Sequence, residues 1–146
     1  MKNIIANDSY LLKEESKKLI ALLKSKGIDE NIIFDIHVGF EEALRNAMIH
    51  GNKMEADKKV TIDIKIKEES IVISVEDEGD GFDPGEVPDP TLEENLLRDR
   101  GRGVYLITNL MDKVKYEDKG RCVIMEKKFR KCPKKKEERD ENKIRQ

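Results

Sequence analysis

The chain has 146 residues, which predicts one domain with a substantial buried core. Charged residues make up 41% of it, yet 29 Lys and Arg against 31 Asp and Glu leave a net charge of about -2. That balance excludes nucleic acid or an anionic membrane as the main electrostatic partner, and no apolar run approaches the roughly 20 residues needed to span a bilayer. The stretch MKNIIANDSY has no signal-peptide core, and Cys122 and Cys132 have no metal-like spacing. Both cysteines read as reduced thiols of a cytoplasmic protein.

Asp8 and Ser9 can cap a helix running to about Ser25, with Leu11, Leu12, Leu19, Leu22 and Leu23 as its apolar side and Gly27 as its stop. Asp29 can cap a second helix, whose stripe of Ile32, Ile33, Ile36, Phe40, Ala43, Leu44 and Ala47 follows the 3.6-residue period. This helix is expected to end at Gly51. Glu42, Asn46 and His50 recur every four residues beside the stripe, at the boundary between core and solvent.

Val60 to Lys67 alternates apolar and polar residues, and Ser70 to Asp77 does so less strictly, which predicts a strand pair. Asp77 is in phase with Ile71, Ile73 and Val75, so it points to the face they bury. An acid at the inner end of a core strand is costly unless something hydrogen-bonds it, although Asp before Gly also suits a turn. The stretch DEGDGFDPGEVPDP, Asp77 to Pro90, reads as an irregular loop, followed by a capping-box pattern for a short helix from Thr91 through Leu97. RDRGRG, Arg98 to Gly103, reads as a second, basic loop. A helix is expected from Val104 to Met111, then a hairpin of Val114 to Tyr116 and Cys122 to Phe129 around EDKG. From Arg130 to Gln146 the chain carries eight basic and four acidic residues and almost no apolar ones, which predicts a solvated tail. The expected organisation is a domain over residues 1–129 and a charged tail over 130–146. Its class is α+β, a two-layer sandwich with helices on one face of a mostly antiparallel sheet.

Three elements carry chemistry. An Asn side-chain oxygen is a hard ligand suited to Mg²⁺, and a neighbouring carboxylate can act as a general base. An inward Asp can accept a hydrogen bond from an exocyclic amine. Glycines allow close backbone approach to a ligand, and a helix start offers amides to phosphate, although both glycine segments also suit a plain loop or hinge. Together these are the parts of a nucleotide site. No GxxxxGK[ST] pattern occurs, and the Asp77 to Asp83 segment lacks the Glu and flanking helices of a calcium loop.

EEALRNAMIHGN, DEGDG and GRGVYLI, in this order, resemble the N box and the two glycine boxes of the GHKL ATPase superfamily, with its Bergerat ATP-binding fold. The form E-A-x-x-N-A-x-x-H-G, the segment Leu110 to Val114 and the compact size are closest to its anti-sigma factor serine/threonine kinases. The resemblance implies ATP and Mg²⁺ as cofactors. It implies transfer of the γ-phosphate to a serine or threonine of a STAS-domain anti-anti-sigma partner, binding of a sigma factor, and commonly a homodimer. By motif position, Glu42 would be the general base and Asn46 the Mg²⁺ ligand. Asp77 would bind the adenine amino group, with Gly79 and Gly81 beneath the adenine and ribose. Gly101, Gly103 and Val104 would approach the phosphates, with Arg98, Arg100 or Arg102 neutralising their charge; the motif does not say which. Arg45 stands before Asn46 where the family often has a small or hydroxyl residue. The alternative is a catalytically silent, ATP-gated binding module in a partner-switching pathway.

Overall fold

The computed structural model describes residues 1–81 and 99–129. The helix expected over Thr91–Leu97, Arg98 and the tail from Arg130 lie outside them. In chain order the elements are β1 (Lys2–Ala6), α1 (Ser9–Ser25), α2 (Glu30–Arg45), a π-helical turn (Asn46–Gly51), β2 (Lys59–Ile66), β3 (Ser70–Glu76), α3 (Asp99–Leu110), β4 (Lys113–Glu117) and β5 (Cys122–Lys128).

The strands form one antiparallel sheet in the order β1-β2-β3-β5-β4. Its period-2 patterning sets the layer structure. Ile5, Val60, Ile62, Ile64, Ile71, Ile73, Val75, Val123 and Met125 are buried, and Ile64 faces Ile73, which in turn faces Met125. From the helices, Leu12, Leu19, Leu23, Ile33, Ile36, Phe40, Ala43, Leu44 and Ile107 complete the same core. Each large apolar side chain so buried contributes about 1.5–3 kcal/mol relative to exposure, which fixes the helices over one face of the sheet. The α+β sandwich is therefore the architecture.

Local signals act where the sequence puts them. Asp8 accepts from the Tyr10 N–H at 2.7 Å and Asp29 from the Asn31 N–H at 3.0 Å, so both helices start at side-chain caps. Gly27 follows α1 with φ 74°, a conformation that favours glycine. The β4–β5 turn uses Asp118, Lys119 and Gly120, with φ of 53°, 57° and 81°.

Two expectations are corrected. The second helix does not run as an α-helix to Gly51; from Asn46 it widens into a π turn, closed by the Asn52 N–H donating to the Ala47 carbonyl at 2.7 Å. The residues read as the end of a basic loop, Asp99 to Gly103, are instead the first turn and a half of α3. Glycine's weak helix propensity does not prevent a helix there, and Gly103 sits at a close approach to α2, where an added Cβ would be tight against Glu42 and Asn46. At the far end of α3, Lys127 from the sheet donates to the Leu110 carbonyl at 2.6 Å and pairs with Asp35 of α2 at 3.2 Å. A cation against the last carbonyls of a helix is favourable, and here it ties α2, α3 and β5 together.

Candidate active site

The π turn determines what α2 delivers. A wider turn is a recurrent feature of functional sites because it shifts the phase of side chains at a helix end. Here it brings Gly51 against the end of β3. A Cβ on Gly51 would lie 2.2 Å from Asp77 Oδ2, and one on Gly79 would lie 1.8 Å from the Gly51 carbonyl oxygen. The helix end, the strand end and the following loop touch only because both positions lack a side chain.

Asp77 is buried, as its phase predicts, at 6% exposure. Its N–H donates to the Arg121 carbonyl at 3.0 Å, and its Oδ1 accepts from the Gly79 N–H at 2.8 Å. The loop beyond it is strapped down from two sides. Arg121 Nε donates to the Gly79 carbonyl at 2.6 Å, and Asn52 Oδ1 accepts from the Glu78 N–H at 2.7 Å. Gly81 has φ 86°, and a Cβ there would meet the Lys119 carbonyl oxygen at 2.3 Å, so the loop lies against the β4–β5 turn.

On the other side of the site, Gly103 of α3 packs against α2. A Cβ on Gly103 would come within 3.0 Å of both Glu42 Oε1 and Asn46 Nδ2. Both polar side chains therefore converge on the start of α3. Arg45 Nη1 lies 3.4 Å from Glu42 Oε2, a loose ion pair across one helical turn. Val104 is half-buried and Arg102 exposed, while Arg100 and Gly101 are placed by backbone alone, in the first turn of α3.

Asn46 and Asp77 line one open cleft. Its walls are otherwise mostly small or apolar, with Ala43, Ala47, Val75, Ile107 and Val123, and Tyr116, Gly120 and Arg121 complete it. His50 does not line it. An open cleft with mostly small or apolar walls and a buried carboxylate in its lining suits a flat ring bearing an exocyclic amine, which donates to that carboxylate. Asn46 is a neutral oxygen ligand beside a carboxylate, a donor pair that suits Mg²⁺. The residues present thus fit a purine nucleotide with its metal. Among the described residues there is no cluster of three His, Cys, Asp or Glu side chains that could hold a metal ion.

Sequence reasoning gave no role to Asn52, the last residue of the EEALRNAMIHGN segment, or to Arg121, which follows the hairpin glycine; the structure has both hold the glycine loop.

A family model described as the histidine kinase-like ATPase domain matches residues 9–127. The chain is 32% identical over 119 residues to the serine-protein kinase RsbW of Listeria innocua, covering 75% of this chain and 74% of that one. It is 37% identical over 101 residues to the anti-sigma F factor of Clostridium perfringens, covering 65% and 71% respectively. It is also 30% identical over 118 residues to the serine-protein kinase RsbW of Bacillus licheniformis, covering 75% and 72%.

Proposed function

This chain belongs to the histidine kinase-like ATPase family, in its anti-sigma serine-kinase type, and from that premise we propose that it phosphorylates a serine or threonine of an anti-anti-sigma, STAS-domain partner and sequesters a sigma factor. The observation that carries the reading is the shared cleft: Asn46 from the helix end and Asp77 from the strand end line it together, with Glu42 beside Asn46 against Gly103.

Asp77 accepts from the adenine amino group, and Gly79 and Gly81 let the chain pass close to the base and ribose. Asn46 offers its side-chain oxygen to Mg²⁺, which when bound neutralises charge on the phosphates. Glu42 takes the proton from the partner's hydroxyl as that oxygen bonds to the γ-phosphorus and the bond to ADP breaks. Gly101, Gly103 and Val104, at the start of α3, approach the phosphates, and Arg100 and Arg102 supply positive charge beside them. No helix among the described residues is long and apolar enough to cross a membrane.

A second reading has one observation in its favour. Arg45 pairs with the proposed base Glu42, which would suit a module that binds ATP and a partner without transfer. The two separate in one experiment. The chain is incubated with γ-labelled ATP, Mg²⁺ and extract of its source cells, alongside Glu42→Ala. Label in a captured protein with the wild type, absent with a variant that still binds ATP, is the expected result. No label from either, with ATP binding and partner capture intact, would replace the kinase by the silent module.

A further inference from the structure

Asn52 takes no part in the chemistry above, yet it is the most completely buried polar side chain among the described residues, at 0% exposure. Its amide is engaged at both ends. Oδ1 accepts from the Glu78 N–H at 2.7 Å, while Nδ2 donates to the Lys59 carbonyl at 2.9 Å and to Asn7 Oδ1 at 2.9 Å. Its neighbours fix this orientation, because an N–H can only donate and a carbonyl can only accept. Asn7 is held in turn, with its Nδ2 donating to the carbonyls of Glu55 and Lys58 at 2.7 and 3.0 Å. The Glu78 side chain closes the ring, as its Oε1 accepts from the Lys59 N–H at 2.7 Å.

Glu78 lies between Asp77 and Gly79, so the peptide clamped by Asn52 belongs to the loop that sets the height of the Asp77 carboxylate. We propose that Asn52 is a positioning residue for the nucleobase, and that through Asn7 it ties the β1–α1 junction to the base end of the cleft. This rests on the nucleotide reading above. Without the Asn52 oxygen, the Glu78 N–H loses its acceptor in a part-buried site, and the loop moves to recover one. Asn46 and Gly103, which pack against each other on α2 and α3, make no hydrogen bond to Asn52 and keep their own packing. The loss is therefore specific to the base.

The readout is the ratio of affinities for ATP and purine riboside triphosphate, which lacks only the 6-amino group, each titrated calorimetrically with Mg²⁺. Phosphate and metal contributions cancel in this ratio, and thermal unfolding is followed in parallel. Wild type should prefer ATP by about tenfold or more, from one charge-assisted hydrogen bond. Asn52→Ala should lose most of that preference while its affinity for the analogue stays within about threefold. A folded Asn52→Ala with the wild-type ratio, or one that weakens both nucleotides equally, would overturn the proposal. If Asn52→Ala shows no cooperative unfolding, Asn7→Ala decides: a ratio lowered by about threefold supports the tie, and an unchanged ratio overturns it. A wild-type ratio near one would overturn the Asp77–amine contact, and this inference with it.

Discussion

Gly103→Ala should separate stability from catalysis. The added Cβ would lie 3.0 Å from Glu42 Oε1, 3.0 Å from Asn46 Nδ2 and 3.2 Å from Asn46 Oδ1. Ordinary contacts at a Cβ begin at 3.4 Å, so two side-chain ends must retreat by a few tenths of an ångström. Both are ends of side chains that can rotate, so relief costs near the lower limit of the usual overpacking penalty, about 1 kcal/mol. Against this, Ala is favoured over Gly within a helix by about 0.8–1 kcal/mol. The two effects nearly cancel, and the midpoint of thermal unfolding should stay within about 4 °C of wild type. Catalysis has no such compensation. Glu42 as the proposed base and Asn46 as the proposed metal ligand, moved together, would lose alignment with the reacting atoms, and a 1 Å displacement can cost about a hundredfold. For the smaller shift here, label transfer from γ-labelled ATP to the captured partner should slow by about tenfold. Wild-type transfer in a variant of wild-type stability would refute the convergence of Glu42 and Asn46 on the phosphates. A loss of transfer that simply tracks unfolding would refute the cancellation.

Asp77→Asn should weaken ATP binding by about 1–3 kcal/mol, measured by calorimetry, because the carboxylate proposed to accept from the amine is replaced by a group half of which donates; equal affinity would remove Asp77 from the base site. The Cys122 thiol is pushed up to about 11 by burial and by the nearby carboxylates of Glu76, Glu117, Asp118 and Asp77. Since the thiolate is the nucleophile, and a raised pKa keeps it scarce until high pH, alkylation of Cys122 in a Cys132→Ser background should climb about tenfold per pH unit from 8 to 10. A plateau near pH 8.5, as for an ordinary thiol, would contradict the effect of burial and the carboxylates.

Much of the frame is legible in the sequence because it is written in periodicities and caps. The stripe from Ile33 to Ala47 reports which side of α2 is buried, and Asp8, Asp29 and Gly27 mark helix ends by the hydrogen bonds and backbone angles those residue types favour. The phase of Asp77 with Ile71, Ile73 and Val75 identifies an inward acid before any fold is known. The three motifs, in order, carry the family.

What tertiary structure alone decides are contacts between segments distant in sequence, which leave no period. Glu15 and Ser16 are buried in α1 because the fold supplies neighbours such as Asn3, whose Nδ2 donates to Glu15 at 2.7 Å. The close approach of α3 to α2 at Gly103, against Glu42 and Asn46, joins segments that no period in the sequence connects. The widening of α2 into a π turn meets Gly51 against Asp77 and Gly79, three positions separated by a strand pair. Asn52 and Arg121 become essential props of the loop only when β2 and the β4–β5 turn close around it. A propensity belongs to a residue and its near neighbours. A buried hydrogen bond belongs to whichever donor and acceptor the completed fold brings within 3 Å.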